Sequence, residues 1–79
     1  MHTKQITEFI LDTMYQIISA KKLLAAGFTK EQIEAAYDEG TIYYNMYEFS
    51  QKGLERQGID TSGLLILDNG QVVATVTVR

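Results

Sequence analysis

Leu64-Leu65-Ile66-Leu67-Asp68-Asn69-Gly70-Gln71-Val72-Val73-Ala74-Thr75-Val76-Thr77-Val78-Arg79 is the stretch that decides the fold class of this chain. Two aliphatic and β-branched runs flank Asp68-Asn69-Gly70-Gln71, and such residues fit a pleated, half-buried surface. Asn-Gly at the two central positions favours a type I′ turn, because both residues tolerate positive φ. The stretch predicts an antiparallel β-hairpin over 64–78. A two-residue turn sets Leu67 opposite Val72 and Leu65 opposite Ala74. Side chains alternate along a strand, so Val72, Ala74, Val76 and Val78 share the face that packs on the rest of the chain. Val73, Thr75, Thr77 and Arg79 share the other. Two strands alone are marginal in water, so the free hairpin edge calls for a third strand or a second chain.

Upstream the pattern is helical. Ile6, Phe9, Ile10, Met14, Ile17 and Ile18 recur at spacings of three and four, one apolar stripe along a helix over about 4–26. This helix runs unbroken to Ala26 or breaks near Ser19-Ala20, and Gly27 ends it. Thr29 is a good N-cap, and Gln32 three residues later completes a capping box for a second helix over 30–39. That helix turns Ile33, Ala36 and Tyr37 inward and carries Glu31, Glu34 and Asp38 outward as an acidic stripe. Thr41 to Gly58 is ambiguous. Ile42, Met46, Ser50 and Leu54 stand four apart, which favours a third helix over 42–57 capped by Thr41, while Thr41-Ile42-Tyr43-Tyr44 is strand-like in composition. The expected fold class is α+β: two or three N-terminal helices followed by a C-terminal antiparallel β-hairpin, in one small domain spanning 1–79.

Composition narrows the functional classes. A chain of 79 residues buries only roughly 60–65% of its unfolded surface, so its own core gives marginal stability. Disulfides, metals and association are the usual supplements. Cysteine is absent and His2 is the one imidazole, so no soft-metal ligand set exists and no cofactor is expected. Glu8, Asp12, Lys21 and Lys22 interrupt the apolar run from Ile6 to Ala26, so neither a signal peptide nor a membrane span is expected. The expected setting is cytoplasmic. The net charge of −3 and pI near 4.9 disfavour nucleic acid, whose affinity comes largely from neutralised phosphates.

The motifs for catalysis are missing. Ser19, Ser50 and Ser62 have only a terminal His2 as a candidate base. Glu31, Glu34, Asp38 and Glu39 lie close along one helix, but paired-carboxylate chemistry needs a cleft that splits their pKa values. A solvated acidic stripe is the plainer reading, and an anionic patch for a basic partner the sharper one. The glycines form no phosphate-binding loop. Asp60-Thr61-Ser62-Gly63 and Asp68-Asn69-Gly70 lack the spaced ligands of a calcium loop and read as turns.

Ser19 to Ala36 has the spacing of a helix-turn-helix, with Gly27 at the turn, Ile33 inward and the terminal hairpin as a wing. Lys22 stands where an apolar residue is usual, and Leu23 where a small one is. Lys21, Lys22, Lys30 and Arg79 are the cations available to such a DNA-binding regulator. The would-be recognition helix opposes Lys30 with Glu31, Glu34, Asp38 and Glu39, so it would repel phosphates. Ala26-Gly27-Phe28, with Leu23 and Leu24 before it and Ile33 and Ala36 after it, also resembles the corner of a ubiquitin-associated three-helix domain. That resemblance covers about half the chain, omits the hairpin, and implies shared corner geometry without any activity.

Tyr37, Tyr43, Tyr44, Tyr47 and Phe49 form the densest aromatic run. Tyr43, Tyr47 and Phe49 are expected to fill the core, leaving a contact surface centred on Tyr44. No Lys or Arg interrupts Thr41 to Phe49, so this is no base-stacking platform and protein is the expected partner. The sequence thus points to a non-enzymatic protein-binding regulator or inhibitor that acts by surface occlusion, as small acidic proteins of phages and mobile elements do. Its expected contacts are Glu31, Glu34, Asp38, Tyr43, Tyr44, Tyr47 and the hairpin edge, with a homodimer as the expected state. The alternatives are the winged-helix-like DNA-binding regulator and an accessory subunit of a larger complex.

Overall fold

A computed structural model describes residues 6–79; the expected helix start at Thr3 or Lys4, and His2, lie outside them. The described residues form an α+β structure of four short helices and four antiparallel strands. In chain order these are α1 (Ile6–Leu11), β1 (Ile17–Ser19), α2 (Ala20–Ala25), α3 (Lys30–Asp38), β2 (Ile42–Met46), α4 (Gln51–Arg56), β3 (Leu65–Ile66) and β4 (Val72–Val78). β4 is the central strand. β2 lies along one side of it, and β1 and β3 share the other. The edge expected to be free on β4 is therefore filled within the chain. No helix among the described residues is long and apolar enough to cross a membrane.

The expected first helix is two helices separated by a strand. Beyond α1, Thr13 Oγ1 donates to the Ile10 carbonyl at 2.6 Å, and Met14 takes φ 70, which turns the chain out of the helical path. Met14, assigned to the inward stripe, is 91% exposed. Ile17–Ser19 then pairs with β4, with Ile18 opposite Val76. β-Branched Ile17 and Ile18 lose less side-chain freedom in a strand than in a helix, and β4 supplies the ladder partners. Ile18 is buried in the strand, as it would be on a helical stripe, so the periodicity could not separate the two.

The α2–α3 corner follows the sequence closely. The Gly27 N–H bonds the Leu24 carbonyl at 3.0 Å and the Phe28 N–H bonds the Leu23 carbonyl at 3.2 Å, a Schellman motif with Gly27 at φ 103. The motif's apolar contact partners, Leu23 and Phe28, are both buried in the core, and Phe28 meets Phe9 edge-on at 5.2 Å. Such a ring pair adds about 0.5–1.5 kcal/mol beyond its buried area. Thr29 accepts from the Gln32 N–H at 3.1 Å, and Gln32 accepts from the Thr29 N–H at 2.8 Å, which completes the capping box.

The favoured helix over 42–57 is replaced by β2, a link and α4. Thr41 does not cap it; the Thr41 N–H and Oγ1 both bond the Ala36 carbonyl at 3.0 Å and close α3 instead. Ser50 is the N-cap of α4. Tertiary pairing decides against the i, i+4 pattern: Ile42, Tyr43, Tyr44 and Asn45 face Val78, Thr77, Val76 and Thr75.

The hairpin forms with a different turn. The Gly70 N–H bonds the Leu67 carbonyl at 2.9 Å, and the Leu67 N–H bonds the Gln71 carbonyl at 2.8 Å. Gly70 alone in the loop takes positive φ, at 86. This is a three-residue loop, a turn followed by a left-handed glycine, rather than a type I′ turn. The pairs become Leu65–Val73 and Ile66–Val72. The β2 ladder also skips Ala74, since Asn45 faces Thr75 and Met46 faces Val73. One unpaired residue reverses the alternation. Val73 therefore joins Val76 in the core, against the expected face assignment.

The core lies between the helices and one sheet face. Ile10, Leu23, Ile33, Ile42, Leu65, Val73 and Val76 are at most 1% exposed, each contributing about 1.5–3 kcal/mol by burial. Val72, Leu54 and Thr61 are buried outside that cluster. Val72 points to the opposite sheet face from Val73, where the α4 segment supplies cover. It is tied down by the Gln51 N–H to the Gly70 carbonyl at 2.9 Å and the Tyr47 N–H to the Val72 carbonyl at 2.8 Å.

Candidate protein-binding surface

The corner between α3 and β2 gathers most of the residues that sequence reasoning singled out. Glu34, Tyr37 and Asp38 stand at i, i+3 and i+4, so they share one side of α3. The turn after α3 reverses the chain into β2 and brings Tyr44 beneath them. The rings of Tyr37 and Tyr44 stack with centroids 4.2 Å apart and planes 5° from parallel. Tyr37 is exposed; Tyr44 is half-buried against the core cluster.

The Tyr44 hydroxyl is shielded from solvent and has no hydrogen-bond partner among the described residues. Burial pushes its pKa from the ordinary 10.0 to about 12, with the charges of Glu34 and Asp38 and then Tyr37 acting in the same direction. A phenolate there would lose hydration and face two carboxylates, so the neutral form is favoured. The site is an aromatic plate with an acidic border.

The other expected contacts lie elsewhere. Tyr43 points to the opposite sheet face, where the Arg79 guanidinium sits 4.4 Å from its ring centre. Tyr47 follows β2 and is 44% exposed. Tyr43, Tyr47 and Phe49 were expected in the core, yet all three are exposed, and Tyr44 is the ring that packs against it. Glu31 is exposed on α3, one turn before Glu34. Sequence reasoning missed Tyr37, which it turned inward. Its position one turn beyond Glu34 was the available signal.

The cations do not form one patch. Lys30 Nζ is 3.2 Å from Asp68 Oδ1 and ties the start of α3 to the hairpin tip. The end of the Lys21 side chain lies beside Gly63 and its charge reaches Asp60. Asp60 has a lowered pKa, chiefly because the Ser62 N–H donates to Oδ1 at 2.9 Å and the Ser62 hydroxyl adds to it. Lys22 is exposed on α2, and Arg79 is committed to Tyr43. Among the described residues, no group of three His, Cys, Asp or Glu side chains is placed to hold a metal ion. The arrangement can offer aromatic area and negative charge. Comparison of the chain with known protein families, curated proteins and solved structures gives no match.

Proposed function

We propose that the protein is a small, acidic, non-enzymatic regulator that binds a basic-surfaced protein partner and acts by covering it, with the α3–β2 corner as the contact. The observation that carries this reading is the Tyr37–Tyr44 stack framed by Glu34 and Asp38. Stacked tyrosines present large area at low entropy cost. Carboxylates around them steer and orient a cationic surface. Glu31 extends the negative stripe by one turn.

The test is affinity capture from the native host with the wild type and with a variant carrying Tyr37→Ala, Glu34→Gln and Asp38→Asn. Tyr37 and Asp38 are exposed and Glu34 is half-buried, and none of them belongs to the core cluster, so circular dichroism should report an unchanged fold. The expected result is loss of the partner. A folded variant that retains it at the wild-type level contradicts the reading.

A second reading, the winged-helix-like DNA-binding regulator, is favoured by one observation. The α2–α3 corner at Gly27 stands with a sheet whose β3–β4 hairpin is tied to the start of α3 by Lys30 and Asp68. Charge weighs against it, because the exposed face of α3 is acidic and its Lys30 is paired. Duplex DNA binding with a steep salt dependence would promote it.

A further inference from the structure

Tyr44 gives the α3–β2 corner a fixed floor. It stands opposite Val76, which is fully buried, and it packs against the core cluster. The Tyr37 ring lies flat on it, with planes 5° apart. The Gly40 N–H bonds the Tyr37 carbonyl at 3.0 Å and the Thr41 N–H bonds the Ala36 carbonyl at 3.0 Å, so the end of α3 is tied down where the chain turns into β2. One face of the Tyr37 ring is covered by Tyr44. Tyr37 is nevertheless 47% exposed, so its open area lies on the other face and the rim.

Three sources of negative potential lie together there. The face of an aromatic ring is itself negative. Glu34 and Asp38 flank Tyr37 along α3, and neither meets a cation among the described residues. The last turn of α3 contains no basic residue, so nothing in it offsets the negative end of the helix dipole. A flat, negative seat of this kind suits a flat cation. Guanidinium is planar and weakly hydrated, stacks on ring faces, and carries N–H donors in its own plane that match carboxylates; an ammonium is a compact, strongly hydrated charge. The same fold holds one example, the Arg79 guanidinium 4.4 Å over the Tyr43 ring.

We infer that the open face of the Tyr37 ring is the seat of an arginine side chain of the partner protein, whose guanidinium lies parallel to the ring as a third layer of the stack and donates from its edge toward Glu34 and Asp38. This deepens the proposed function and rests on it. A nucleobase is the poorer occupant of the same flat face, because the two carboxylates repel its phosphates.

The probe is a capped hexapeptide alternating arginine and glycine, titrated into the full chain while the tyrosine ring resonances are followed by NMR. Two companions carry lysine, or citrulline, which is planar but uncharged. The arginine peptide should shift the Tyr37 ring most and bind about three- to fivefold tighter than the lysine peptide. The citrulline peptide should not bind. Glu34→Gln with Asp38→Asn should weaken both cationic peptides. Tyr37→Leu, which keeps apolar bulk but removes the ring face, should erase the preference for arginine, and Tyr37→Phe should keep it; circular dichroism checks that each variant is folded. Equal binding of the arginine and lysine peptides to the wild type, or a preference for arginine that survives Tyr37→Leu, overturns the guanidinium seat while the acidic surface stands. If no peptide binds, the seat is likewise overturned, and the capture experiment above judges the broader reading separately.

Discussion

At the scale of single residues, Tyr44 has the clearest signature. Its hydroxyl is shielded and its pKa is raised to about 12. An absorbance titration should show a tyrosine ionising well above the ordinary 10.0, and Glu34→Gln with Asp38→Asn should lower that midpoint. The stability linkage has a definite sign. The folded pKa lies above the unfolded 10.0, so the contribution is complete below pH 10.0 and fades as pH rises toward about 12. Denaturant midpoints should fall across that window, and Tyr44→Phe should remove this component of the fall. Met14 is the second telling residue. It holds φ 70 while 91% exposed, so Met14→Gly relieves a left-handed conformation that costs an L-residue about 1–2 kcal/mol, against about 1 kcal/mol of added unfolded-state entropy. A thermal midpoint that holds or rises by a few degrees is expected, and a drop would show that the Met14 side chain is needed.

At the scale of elements, the bulge at Ala74 makes the sharpest forecast. Simple alternation puts Val73 outside, whereas it is 1% exposed opposite Leu65. Val73→Ala should cost about 2 kcal/mol or more in urea unfolding, as a core truncation does, and Thr75→Ala should cost much less. Similar small losses at both positions would mean that the strand keeps a regular alternation. Thr29→Ala removes the capping-box oxygen of α3 and should cost about 1 kcal/mol. The capping box and the Gly27 corner were legible in the sequence because both are local: a side chain three residues from its partner, and a glycine at a helix end. The hairpin was legible, but its turn was not. Asp68-Asn69-Gly70 suits either a two-residue or a three-residue loop, and the choice moves the register by one. β1 was hidden, and β2 was legible only in the strand-like composition of Thr41 to Tyr44, because the stability of both comes from β4, about thirty residues away for β2 and nearly sixty for β1. Ile6, Ile10 and Ile18 keep the inward positions of a helical stripe although the last is in a strand. The Tyr37–Tyr44 stack was half legible. Its acids and Tyr44 could be named from sequence, but the pairing depends on how the chain turns at Gly40-Thr41, which closes α3 and starts β2.

At the scale of the whole molecule, charge and topology combine to set the reading. Helices cover one face of the sheet, the α4 segment covers part of the other near Val72, and β4 is flanked on both sides. The homodimer expected from a free hairpin edge loses that argument, and the outer position passes to β2. The acidic balance is concentrated on α3 beside this strand, while Lys21, Lys30 and Arg79 are engaged separately. Duplex DNA should therefore not be retained even at low salt, as a fluorescence anisotropy titration would report. Everything rests on the Tyr37–Tyr44 stack and its acidic border being the contact surface. Affinity capture with the wild type and with the variant carrying Tyr37→Ala, Glu34→Gln and Asp38→Asn tests this most directly. The wild type should retain a basic-surfaced partner and the folded variant should lose it. A folded variant that retains the partner at the wild-type level would contradict the account.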